Sequence, residues 1–384
     1  MSDGAIPLSQ GTTLGGYCIE KVLGQGGFGL TYLATHKEKV GTFAVKEYFP
    51  SGAAQRSGTS TVIPLEARKR FFDVGLKDFF DEAMLMTTLP AFPGLVRVVA
   101  ALKKFGTAYC VMEFIDGETM DHIMLLMVRS YGHFPEDRIL STLEYIVAAL
   151  GVVHAQDLIH RDIKLSNIMI DRDGIAWLID FGAARKLAAP RKSHSSFTET
   201  FAPIEQFPDA QLEEGPQTDF FALGVTLYVL IAQKPPPTAR ERKTLVDKGQ
   251  PDPYDNLATQ QELSQKYSAR LLKTVDRCCA LYPSERPRST EDIARALHIY
   301  TKSAIVPAPA ETNAEAISTI VPTEDQGMNQ FRKRLSRIFK VKELPLGSDM
   351  RKPNPFIFSL FIIALAALFT LIVYYILDYK GVFS

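Results

Sequence analysis

The run His160-Arg161-Asp162-Ile163-Lys164-Leu165-Ser166-Asn167, followed by Asp180-Phe181-Gly182, constrains this chain more than any other feature. It sets a carboxylate, an ammonium, a carboxamide and a second carboxylate in a fixed order, about one hairpin apart. Phosphoryl transfer needs that set: a group to accept a hydroxyl proton, a cation for the moving phosphoryl, and ligands for metal ions that bridge phosphates. A lone His-Arg-Asp arises by chance, whereas the two motifs in order are a specific signal.

Upstream, Leu23-Gly24-Gln25-Gly26-Gly27-Phe28-Gly29 contains G-x-G-x-x-G. Dinucleotide sites share that pattern, but there the glycines open a helix. Here they lie between 17–22 and 31–34, two segments that read as strands. Glycines in such a hairpin let backbone N–H groups approach phosphate oxygens with no Cβ in the way. Thr42-Phe43-Ala44-Val45-Lys46 follows as an apolar strand with a lysine, a residue that normally turns to solvent.

With these motifs in place, the chain resembles the eukaryotic-type (Hanks-type) serine/threonine protein kinases of bacteria. The resemblance implies an α+β, bilobal fold: an N-lobe antiparallel sheet with one main helix (17–115), then a mainly helical C-lobe (116–300). It implies ATP and Mg2+ (or Mn2+) as cofactors and protein Ser/Thr hydroxyls as acceptors. Carried over by motif, Asp162 accepts the acceptor's proton, Lys164 neutralises the γ-phosphoryl, and Asn167 and Asp180 hold metal. Gly24, Gly26, Gly27, Phe28 and Gly29 cover the phosphates. Lys46 bonds the α- and β-phosphates and pairs with a glutamate on the following helix.

That partner reads as Glu82, beside the apolar face of Phe79, Ala83 and Met86; Glu66 is the competitor, nearer Lys46 in sequence. Gly94 to Val98 reads as the next strand. The stretch 47–69, with Pro50, Gly52, Gly58 and Pro64, reads as an extra loop or short hairpin. Ala44 and Met169 line the adenine pocket, Met112 stands at its back, and backbone groups of Glu113 and Ile115 bond the adenine edge. Glu205, in Ala202-Pro203-Ile204-Glu205, pairs with Arg286, while Asp219 holds the backbone of the catalytic loop. Phe221 stands where the family usually has tryptophan, and Thr31 where it has valine.

The segment after Gly182 is rich in hydroxyls. Ser193, Ser195, Ser196, Thr198 and Thr200 are candidate autophosphorylation sites, because a phosphate there gives the Arg161 guanidinium a bidentate partner. Thr198 also matches the family position that bonds the catalytic aspartate.

Zero formal net charge hides an asymmetry. The segment 331–352 carries eight lysines and arginines against Glu343 and Asp349. An uncharged run of 22 residues, 356–377, comes next. At about 1.5 Å per residue it reaches roughly 33 Å, enough for a bilayer core. The basic flank puts the kinase domain in the cytoplasm, on the inner membrane as a single-pass protein with a short outer tail, 378–384. Residues 1–16 read as a leader without signal-peptide character, and 301–355 as a juxtamembrane linker. Its basic part suits anionic lipid, and a homodimer through the span fits Ala364, Ala366 and Ala367. No nucleic-acid signature is visible. Cys18, Cys110, Cys278 and Cys279 have neither disulfide nor zinc spacing. The alternative reading is a nucleotide-binding pseudokinase scaffold at the membrane, with a small-molecule kinase of related fold ranked lower.

Overall fold

Alternation of side chains sets the first sheet. In β3 (Gly29–His36), Leu30, Tyr32 and Ala34 point inward. The strand pairs on one side with β2 (Tyr17–Gly26) and on the other with β4 (Thr42–Tyr48). The computed structural model describes residues 6–27, 29–187, 198–207 and 209–300. Phe28, Ser193, Ser195 and Ser196, the linker and basic segment, and the expected span at 356–377 all lie outside that set. Among the described residues no helix is long and apolar enough to cross a membrane.

The N-lobe sheet runs β1 (Thr13–Leu14), β2, β3, β4, β8 (Thr107–Glu113), β7 (Val98–Lys104), all antiparallel. The expected insertion is a hairpin, β5 (Ala54–Ser57) and β6 (Thr61–Pro64). A buried Arg56 ties it back to β4: its guanidinium donates to both oxygens of Glu47 at 3.1 and 2.7 Å, and Tyr32 and Tyr109 donate to the same carboxylate. Both ionic side chains are fully shielded, and the four donors are what make a buried carboxylate tolerable there. Residues 6–16, read as a leader, pack on this lobe: Leu8 and Leu14 are buried and Leu8 N–H donates to Tyr32.

Helix α1 (Lys69–Met86) turns Phe72, Ala83 and Met86 inward. Its interior glycine, Gly75, has a packing cause. A Cβ there would stand 2.1 Å from the Tyr48 hydroxyl. Tyr48 cannot swing aside, because it is buried with its ring 5.3 Å from Phe72 and 5.6 Å from Phe79. Gly75→Ala gains helix propensity of about 1 kcal/mol, yet overpacking costs about 1–3 kcal/mol. We expect a lower melting temperature and slower phosphotransfer, since α1 carries Glu82; Tyr48→Leu in the same chain should restore both. A more stable, fully active Gly75→Ala protein would refute this packing role.

The strand expected at 94–98 begins only at Val98. Val96 N–H donates to Leu178 and Leu178 N–H to Gly94, so this stretch pairs with the C-lobe. After β9 (Gly117–Thr119) come α2 (Met120–Tyr131) and α3 (Glu136–His154). Short strands β10 (Leu158–Ile159), β11 (Ile168–Asp171), β12 (Ala176–Leu178) and β13 (Arg185–Lys186) frame the motif loops. Helix α4 (Pro216–Ala232) is apolar nearly all round and buried along most of its length, as expected of a central helix, and Pro216 sits at its start. The C-lobe ends with α5 (Ala239–Asp247), α6 (Gln261–Ser264), α7 (Ala269–Cys278) and α8 (Thr290–Leu297). Helix α4 packs on α7, and α3 on α8.

Candidate active site

The loop from β10 to β11 carries the first motif, and the turn after β12 carries the second. Asp162 is the hub. Its Oδ2 accepts from Lys164 Nζ at 2.7 Å and from Asn167 Nδ2 at 3.0 Å, and its Oδ1 accepts from Thr198 at 3.0 Å. Lys164 also donates to the Thr198 hydroxyl at 2.9 Å. Thr198 therefore sits inside the catalytic-loop network. Thr200 lies in the following short 3-10 turn, 199–201.

Asp219, at the start of α4, fixes the loop backbone. It accepts from His160 N–H at 2.9 Å and Arg161 N–H at 2.8 Å, and lies 2.8 Å from His154 Nε2. Burial alone would raise its pKa, but the bond and charge of His154 outweigh this and hold it below the usual carboxylate range. Arg161 and Asp180 both take left-handed backbone conformations, φ 71° and 59°. Such residues cost about 1–3 kcal/mol each and persist where their surroundings over-determine them.

Across the cleft, Lys46 Nζ donates to Asp180 Oδ1 at 2.5 Å. Burial pulls the lysine pKa down and the carboxyl pKa up. The mutual charge reverses both, leaving Lys46 raised and Asp180 lowered, so the pair is ionised. Glu82, expected as the partner of Lys46, lines the same cavity with Phe79, Met86, Cys110, Met112 and Phe181. Its competitor Glu66 is exposed in the turn 66–68 that precedes α1. The structure thus brings Lys46, Glu82 and Asp180 together, with Asp180 as the hydrogen-bond partner of the lysine.

At the hinge, Glu113 N–H donates to Arg97 and Phe114 N–H to Thr42. Ala44 pairs with Met112 across β4 and β8, and Met169 lies half-buried in β11 opposite Thr119. A Cβ at Gly24, Gly26 or Gly27 would meet nothing within 4 Å, so the protein's own packing does not demand glycine there. At Gly29 it would stand 1.8 Å from the Glu47 carbonyl oxygen, so that glycine serves the sheet.

The residues fit a hard divalent cation. Asn167 spends its amide nitrogen on Asp162, which leaves its carbonyl oxygen as an acceptor, and Asp180 is ionised. Mg2+ is commonly held by one or two such oxygens plus substrate phosphates.

Glu205 and Arg286 form a two-pronged pair at 2.6 and 3.2 Å, both fully shielded. The Arg286 guanidinium lies 4.7 Å from the centroid of the Phe221 ring, so the phenyl group supplies the aromatic face at that position.

Three residues of the site left no mark in the sequence. Gln206 donates to the Arg161 carbonyl at 2.8 Å. His154 bonds Asp219. Glu214 takes the Arg161 guanidinium, with Nε to Oε2 at 3.1 Å. The guanidinium expected to await a segment phosphate therefore has an internal carboxylate.

The protein kinase domain family model matches residues 17–298. Serine/threonine-protein kinase F of Synechocystis sp. is 30% identical over 291 residues, 74% of this chain and 55% of that protein. Serine/threonine-protein kinase PknA of Nostoc sp. is 26% identical over 293 residues, 74% of this chain and 47% of that one. This chain thus spans about half the length of these curated relatives. The solved structure of PpkA-294 in its apo form is 33% identical, with a TM-score of 0.65, and covers 76% of this chain and 99% of that one. The Mycobacterium tuberculosis PknI kinase domain, 23% identical with a TM-score of 0.52, covers 76% of this chain and 98% of its own and shares the fold. The chain belongs to the protein kinase family, and the curated relatives it resembles are serine/threonine-protein kinases.

Proposed function

We propose that this chain is a membrane-anchored serine/threonine kinase that moves the γ-phosphoryl of ATP to protein hydroxyls and phosphorylates its own activation segment. The observation that carries the reading is the convergence of Lys164, Asn167 and Thr198 on the Asp162 carboxylate, with Lys46 and Asp180 paired across the cleft. Asp162 takes the acceptor's proton as the bond from acceptor oxygen to γ-phosphorus forms. The bond from γ-phosphorus to the bridging oxygen breaks, and ADP leaves. Lys164 offsets charge on the moving group, and Lys46 orients the α- and β-phosphates. Asn167 and Asp180 would hold Mg2+, which would offset charge on the phosphates. Adenine would bond the Glu113 carbonyl and the Ile115 N–H, since the Glu113 and Phe114 N–H groups are already spent.

Among the candidate phosphosites, Ser193, Ser195, Ser196 and Thr200 suit modification better than Thr198. A phosphate on Thr198 would set a dianion against Asp162. The anchor rests on the apolar run 356–377 and its basic flank.

Full-length protein should float with anionic vesicles and label a protein acceptor in Mg-ATP, while a chain ending at residue 300 should label without floating. Lys46→Met should lower kcat by roughly 100-fold, the scale of one lost electrostatic clamp. Full-length protein that stays with the aqueous phase would remove the anchor. A Lys46→Met protein with wild-type turnover would remove the site.

A further inference from the structure

Arg161 is held at its backbone and at its guanidinium. Its N–H donates to Asp219 at 2.8 Å, its carbonyl accepts from Gln206 at 2.8 Å, and its guanidinium meets Glu214. The side chains of Arg161 and Glu214 are 5% and 3% exposed, so this is a buried pair rather than a surface contact. A second guanidinium, that of Arg185, reaches the same carboxylate at 3.2 Å. Arg185 lies on β13, whose partner strand β10 leads directly into the catalytic loop. Arg161 also donates to the carbonyl of Ala183, next to Gly182. One carboxylate, on the stretch before α4, therefore joins the catalytic loop to the start of the activation segment.

A phosphate on an activation segment does that work by offering charged oxygens to such arginines. Here the anion belongs to the chain. We infer that Glu214 is a positioning residue that substitutes for a segment phosphate, so that phosphotransfer proceeds without phosphorylation of the activation segment. The inference deepens the kinase reading and rests on it. Phosphate on Ser193, Ser195, Ser196 or Thr200 is then a product of turnover, not a condition for it.

The test uses the full chain in three forms: as purified, freed of phosphate by a phosphatase with mass-spectrometric verification, and with Ser193, Ser195, Ser196 and Thr200 changed to Ala. Initial rates on an exogenous protein acceptor should agree within about twofold across the three. Glu214→Gln, which keeps shape but drops the charge, should lower kcat by about tenfold or more with the KM for ATP nearly unchanged, as expected for a lost preorganised charge. Glu214→Asp should recover part of that loss. A merely structural role would instead lower the melting temperature and leave kcat per folded molecule intact, and would overturn the assignment. So would a loss of about tenfold in the phosphate-free wild type, a result that needs no variant to fold. A chain silent in all forms would overturn the kinase reading itself, and this assignment with it.

Discussion

Asp162→Asn should lower kcat by roughly 10²–10⁴, the usual worth of a positioned acid–base group. The affinity for ATP should change little, because the hinge, the glycine hairpin and Lys46 are untouched. The amide fills the same space but cannot take the proton. It also sets an NH2 group against the donors Lys164 and Asn167, or against Thr198, each of which now points at a carboxylate oxygen. Initial-rate assays beside nucleotide titration check both halves. Equal loss in affinity and rate would mean a collapsed site; no loss in rate would mean that the base lies elsewhere.

Arg286→Ala should cost about 3–5 kcal/mol of unfolding free energy, because it strands a buried partner charge. The guanidinium donates to Glu205 twice and to the carbonyls of Gln217, Ala280 and Leu281. Without it, Glu205 keeps only the Thr218 hydroxyl among these contacts. Urea denaturation of both proteins reads the difference. The paired change Arg286→Met with Glu205→Leu should recover much of the loss, since an apolar replacement leaves no charge behind. A single-variant cost below about 1 kcal/mol would mean that water reaches Glu205.

Much of this architecture was legible because local chemistry and global fold agree. The two motifs, the glycine hairpin and the lysine strand each occupy the expected element, and Glu82, preferred to Glu66 on the family's register, lines the cavity beside Lys46, which donates its hydrogen bond to Asp180. The excess length before α1 became a hairpin, as its glycines and prolines implied. What escaped the sequence was pairing across distance. In β4, covered on both faces, Phe43, Ala44, Val45, Glu47 and Tyr48 are all buried, so alternation could not show that Glu47 turns inward to Arg56. Glu214 belongs to no motif; only the fold brings it to the Arg161 guanidinium. The strand start at 94–98 shifted because the backbone of Gly94 and Val96 bonds Leu178 in the other lobe.

The central claim is ATP-dependent transfer to protein hydroxyls. The measurement that tests it most directly is incubation of the purified full-length chain with γ-labelled ATP, Mg2+ and a protein acceptor, followed by phosphoamino-acid analysis. Label on serine and threonine, absent from tyrosine and abolished by chelating the metal, is the expected result. A chain that binds Mg-ATP yet labels no protein hydroxyl would contradict the account and point to a nucleotide-binding scaffold.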